Sequence, residues 1–150
     1  MTRLSGSLFV IGAVVLAGLV AAGGQRTAGK EDRKVHRAVI EVTAQETPQW
    51  ESVLNNIENL QKAFAPERTE VEVVAHGKGL GMLQKSNAAQ SERMAGVALA
   101  GVKFAACENT MRRMKLQKSD LFEFVVTVDS GVAEVVRKQE AGWAYLKGGG

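Results

Sequence analysis

The sequence predicts an α/β fold: a three-layer α/β/α sandwich built on a five-stranded, mainly parallel sheet. Three observations carry that expectation. Short apolar runs rich in β-branched residues alternate with stretches whose apolar residues recur every three or four positions. The connections between them are short, as in a parallel sheet covered on both faces with right-handed crossovers. The alternation continues from near Val35 to Leu146 with no second linker and no internal repeat, and 150 residues make one domain on length.

Taken in order, Ala38 to Val42 is the first strand. Thr47-Pro48 supplies an N-cap residue and a proline at the first helical position. Trp50, Val53, Leu54, Ile57, Leu60 and Phe64 then form one core-facing stripe, which Pro66 stops. Val71 to Ala75 is the second strand; His76-Gly77 and Gly79 make a turn. Asn87 caps a helix through about Ala100, with Met94, Val97 and Ala98 toward the core and Gly101 ending it. Val102 to Ala106 is the third strand, and a short helix follows from Glu108 to about Met114, with Cys107 at the junction. Phe124 to Val128 is the fourth strand, Ser130-Gly131 opens a helix to about Glu140, and Trp143 to Leu146 is the last strand.

Composition narrows the function. Apolar content of 45% and charged content of 23% are ordinary for a globular protein. A net charge of +3 and 5% aromatics speak against a nucleic-acid groove, which needs a basic stripe interleaved with aromatics. Residues 1–24 have the layout of a secretory signal peptide: Arg3, an apolar core from Leu8 to Val20, then Ala21, Ala22, Gly23 and Gly24. Cleavage after Ala22 and after Gly24 both fit. The apolar core is about 13 residues, short of the roughly 20 that span a bilayer. Export to the periplasm is therefore expected, with no stable membrane anchor after cleavage and no lipid-bearing cysteine near the site. Residues 25–34 read as a polar, basic spacer.

Export implies an oxidising compartment, yet the chain has a single cysteine, Cys107. An intermolecular disulfide, a reactive thiol and a buried inert thiol all remain open. In open parallel sheets ligands bind beyond the carboxyl ends of the strands. His76, Cys107 and Ser130 each follow such an end, so the fold gathers them on one rim. At the first turn of a helix, Cys107 meets backbone N–H groups and the positive dipole end, both of which favour thiolate. Lys103, Arg112 and Arg113 add positive potential and Glu108 opposes it, leaving a moderately activated thiol. His76 reads either as a base for Cys107 or as a histidine bonded to its own turn, and no Asp or Asn is identifiable as a third member. The helix opening at Ser130, Gly131 and Val132 reads either as an anion site or as a plain N-cap. Met111 and Met114 with Cys107 and His76 would make soft donors for Cu(I), although methionines at helical spacing read more readily as core. No metal or cofactor is assigned.

The segments VVAHGKGLGML (Val73 to Leu83), GVKFAACENTM (Gly101 to Met111) and SGVAEVVRKQEAGWAYLK (Ser130 to Lys147) resemble the DsrE/DsrF-like family of small sulfur-relay proteins, in its exported single-cysteine branch. Trp50, Asn56 and Asn59 in the first helix add to the likeness, which runs from about Val39 to Leu146 and marks 35–147 as the domain. The resemblance implies a five-stranded parallel sheet, homo-oligomers that are commonly trimers or hexamers, and sulfur held as a persulfide on Cys107. It adds Asn109 and Thr110, next to the cysteine in the most specific segment, to Ser130 and Gly131 as binding candidates. Two departures stand out: an exported chain cannot thiolate cytoplasmic tRNA, and Glu108 stands where many relatives have a small residue. The expected function is a periplasmic sulfur carrier or sulfurtransferase-like protein working between a sulfur donor and an acceptor protein. The alternative is a non-catalytic homo-oligomeric binding protein for a small anion or a soft metal such as Cu(I). Phe104, Phe122 and Phe124 are expected at an edge that assembly would cover.

Overall fold

The five apolar runs come together as one sheet. In a computed structural model, which describes residue 2 and residues 34–149, the strands are β1 (Val35–Val42), β2 (Arg68–Ala75), β3 (Lys103–Cys107), β4 (Val125–Val128) and β5 (Ala144–Gly148). All four pairings are parallel, in the order β4-β3-β2-β1-β5. The helices are α1 (Thr47–Phe64), α2 (Ser91–Leu99), α3 (Glu108–Met114) and α4 (Gly131–Glu140). The expected signal peptide, 1–24, and the spacer up to residue 33 lie outside the described residues, residue 2 apart. No helix among the described residues is long and apolar enough to cross a membrane.

Strand order decides which face each helix covers. From β1 to β4 the chain steps one strand at a time in one direction, and then β4–α4–β5 runs back across the sheet to the far side of β1. Right-handed crossovers in opposite directions lie on opposite faces. The two cores record this. The large one packs Ile40, Val42, Val73, Phe104, Ala106 and Val125 against Trp50, Val53, Leu54 and Ile57 of α1 and Met94 and Val97 of α2. The small one holds Val39, Val74 and Ala105 under Val135 of α4, with Val128 and Trp143 at its margin. The second face thus carries α4 alone, a thinner cover than two full helical layers. Residues of that parity are accordingly often polar, Arg37, Glu41, Glu70, Glu72 and Lys103 among them.

Several boundaries move for physical reasons. Glu46, not Thr47, is the N-cap of α1, and no side chain caps that end; the entry loop is held instead by Trp50 Nε1 donating to the Ala44 carbonyl at 2.8 Å. The turn after His76 continues as a 3₁₀ helix, Gly77–Leu83. Gly79 is obligatory there, since a Cβ would lie 2.2 Å from the Val42 carbonyl oxygen. Asn87 caps only a 3₁₀ turn, Ala88–Gln90, and spends its side-chain amide on the Met82 carbonyl. Lys118–Asp120 is a further 3₁₀ turn, closed by reciprocal bonds between Gln117 and Asp120. The aromatic edge expected for assembly is internal. Phe104 and Phe122 are buried, and Phe124 stands 5.5 and 5.4 Å from their ring centres. Aromatic rings at this spacing gain from tilted or offset stacking that water cannot replace.

The thin face is pinned by one charge pair. Glu72, 4% exposed, receives Lys138 Nζ of α4 at 2.6 Å, and the same ammonium lies 4.3 Å from the Trp143 ring centre. Removing one partner of a buried pair leaves an uncompensated charge. Lys138→Met, which keeps the stem over Trp143, should therefore destabilise the fold by about 3 kcal/mol in urea titrations. The Glu72→Leu/Lys138→Met double variant should recover most of that loss.

Candidate active site

Register alone brings the polar groups together. Ala75 of β2 pairs with Ala106 of β3, so the next residues, His76 and Cys107, stand abreast at the carboxyl ends of adjacent strands. Side chains alternate between faces, and both turn toward the α4 side. Ala75 also pairs with Val42 of β1, which places Glu41, one residue earlier, on that same face. Tyr145 of β5 pairs with Val39 and has the parity of Glu41.

The side chains follow this placement. His76 Nε2 lies 2.7 Å from Glu41 Oε1, and the Tyr145 hydroxyl donates to Glu41 Oε2 at 2.6 Å. Burial pushes the Glu41 carboxyl up, but the Tyr145 and His76 bonds outweigh it and its pKa falls below the usual carboxylate value. Glu41 is therefore ionised at neutral pH.

Cys107 is the last residue of β3 and the N-cap of α3, and it is only 4% exposed. Burial alone raises a thiol's pKa. Four donors reverse that: the Gly131 N–H first, then the Thr110 hydroxyl, then the N–H groups of Thr110 and Asn109. The net pKa lies below the ordinary thiol value. Thr110, 2% exposed, accepts the Gly77 N–H at 3.0 Å on its hydroxyl oxygen, which leaves the hydroxyl proton for the sulfur. Gly131 is wedged over the site. A Cβ there would lie 2.9 Å from His76 Cβ and 3.2 Å from Cys107 Cβ, so only glycine brings the first turn of α4 this close.

The residues singled out from sequence separate into two groups. Cys107, His76, Gly131, Thr110 and Asn109 meet at one point, Asn109 through its backbone, while its exposed side chain accepts from Arg112 Nη2. Ser130 does not reach the sulfur: its hydroxyl accepts the Ala133 N–H at 3.4 Å and caps α4. Lys103 begins β3, roughly 13 Å down the strand at 3.3 Å per residue, too far to act on the thiol. Arg112 faces Glu108 at 3.8 Å, so the two charges offset one another. Met111 packs in the large core, and Met114 lines a cavity of about 510 Å³ with Trp50 and Lys78, so the soft donors are not assembled. No three His, Cys, Asp or Glu residues among those described are grouped to hold a metal ion. Glu41 and Tyr145 escaped the sequence reading. The available signal was a carboxylate inside the apolar run AVIEV, Ala38 to Val42.

Comparison with known proteins agrees with this architecture. The model of the DsrE/DsrF-like family matches residues 26–147. The solved structure of MTH1491, a protein of unknown function from Methanobacterium thermoautotrophicum, superposes with a TM-score of 0.71 at 31% identity, covering 75% of this chain and 98% of that one. No curated protein matches.

The donors around Cys107 carry a measurable consequence. A lowered folded pKa contributes stability above the unfolded thiol value of about 8.5, which is lost as the pH falls through the folded value. Alkylation of native Cys107 by iodoacetamide should accordingly show a midpoint below about 8.5. Gly131→Ala pushes the α4 N-terminus off the sulfur, so it should raise that midpoint and cost about 1–3 kcal/mol of stability through overpacking. A thiol that reacts only after denaturation would contradict the first expectation.

Proposed function

The chain belongs to the DsrE/DsrF-like family, and on that premise we propose that it is an exported sulfur carrier of the sulfurtransferase type, holding sulfur as a persulfide on Cys107. One observation carries the reading: Cys107 is buried at the N-terminus of α3, close under Gly131 and abreast of His76, where the N–H groups of Gly131, Thr110 and Asn109 and the Thr110 hydroxyl hold its pKa below the ordinary thiol value. These donors stabilise a thiolate, the form that attacks sulfane sulfur. They are equally suited to the anionic terminal sulfur of a persulfide. Burial limits the contact of the loaded sulfur with oxidants.

The transfer is redox-neutral. Cys107 gives its proton to the His76 imidazole, and the thiolate attacks the outer sulfur of a donor persulfide, R–S–SH. The Sγ–S bond forms as the donor's S–S bond breaks, and the departing RS⁻ takes the proton back from His76. Delivery runs in reverse, an acceptor thiolate attacking the outer sulfur on Cys107. The signal-like segment 1–24 supports a periplasmic location. The chain assembles as a homo-oligomer, a trimer or hexamer, and Val126, Val132 and Val136, at 49%, 58% and 47% exposure on α4 and the sheet face it covers, are apolar side chains that assembly would bury.

Mass spectrometry of the chain isolated from the periplasm tests the three parts together. The mature chain should lack its first 22 to 24 residues, and its native mass should be that of several protomers. Polysulfide, or thiosulfate with a rhodanese, should add about 32 Da per sulfur atom, removable by dithiothreitol. Cys107→Ser should take up none, and His76→Ala should load slowly. A native chain that acquires no sulfur would overturn the carrier reading.

A further inference from the structure

We propose that Glu41 and Tyr145 are positioning residues for His76, forming a hydrogen-bonded chain from the edge strand β5 through β1 to the strand-end rim that decides which imidazole nitrogen exchanges a proton with Cys107. The proposal rests on the reading of Cys107 as a sulfur carrier and assigns the groups that prepare its base.

The geometry leaves one arrangement. A carboxylate only accepts hydrogen bonds, so at 2.7 Å the Nε2 atom of His76 is the donor and keeps its proton. Nδ1 is then the nitrogen left free to take up or return a proton, and it is the one the proposal assigns to the exchange with the neighbouring thiol. The Tyr145 hydroxyl, donating at 2.6 Å, occupies the second carboxylate oxygen. With both oxygens engaged, the carboxylate cannot rotate away from the ring. The lowered pKa of Glu41 keeps it an acceptor.

The surroundings exclude simpler roles. On the α4 side, His76 Cβ and Cδ2 lie against the uncharged Gly131. Arg137 and Lys138 of that helix are engaged with Asp129, Glu134 and Glu72. From α3, Thr110 reaches only the Gly77 amide and the sulfur. Glu41 is the charged group bonded to the imidazole. Partly exposed pairs of this kind add little stability, and Tyr145 is 41% exposed, so packing does not account for the chain of bonds.

The test is a set of mutant cycles on the alkylation of native Cys107, which involves no sulfur donor. At neutral pH, Glu41→Gln should slow iodoacetamide by about tenfold and Tyr145→Phe by about threefold, within the coupling range of one hydrogen-bonded network. In a His76→Ala background neither substitution should have any effect, because both act through the imidazole. Tyr145 is the only tyrosine in the chain, so phenolate absorbance reads its ionisation directly. It should titrate above the ordinary value of about 10, and Glu41→Gln should return it to that value. Equal effects with and without His76, or an ordinary tyrosine titration in the unaltered chain, would overturn the proposal. A chain that passes these cycles but takes up no sulfur fails only the carrier reading.

Discussion

The return of β5 to the far side of β1 is the constraint on which the rest of this molecule depends. Had the chain continued past β4, every helix would lie on one face and the other would be bare. Because it doubles back, a right-handed crossover carries α4 over the opposite face, and its first turn lands on the carboxyl ends of β2 and β3. The same return sets Tyr145 beside β1, in register with Val39 and on the same face as Glu41. One topological reversal therefore supplies the Gly131 amide over the sulfur and the hydroxyl that holds the histidine's carboxylate.

The site is a contest between desolvation and hydrogen bonding. At 4% exposure, burial alone would keep Cys107 as a neutral thiol. Donors around one sulfur reverse that outcome, and they come from different places in the chain: Asn109 and Thr110 from α3, Gly131 from α4. The arrangement works only if the backbone of α4 approaches closely, and that approach requires glycine at 131, where a Cβ would overlap both His76 and Cys107. A short helix dipole contributes as well, but directed N–H and O–H groups at the sulfur are the specific element.

The thin second face explains why this rim stays polar. A sheet buried evenly on both sides would exclude Glu41 and Glu72 from its interior strands. Here a single helix covers that side, so carboxylates persist wherever a partner reaches them. Lys138 reaches Glu72 and fastens α4 to the sheet, while His76 and Tyr145 reach Glu41. Structural and functional carboxylates thus lie on the same surface, distinguished by their partners.

The sequence by itself determined the elements, because helix and strand periods, glycines and prolines act over a few residues. The stripe of α1, the strand ending at Cys107 and the opening of α4 at Ser130-Gly131 were all legible in that way. So was the gathering of His76 and Cys107 on one rim, since parallel strands present their carboxyl ends together. Pairing order and register were not legible, for they depend on which apolar faces pack best across long separations. Glu41 and His76 stand 35 positions apart, and Glu41 and Tyr145 stand 104 apart. The tertiary structure alone decided that a phenol in one strand would bond a carboxylate in another, that the same carboxylate would meet the imidazole of His76, and that the phenylalanines would turn inward. Hydrogen bonds that close between strands carry no local signature, and only the folded sheet brings their partners within reach.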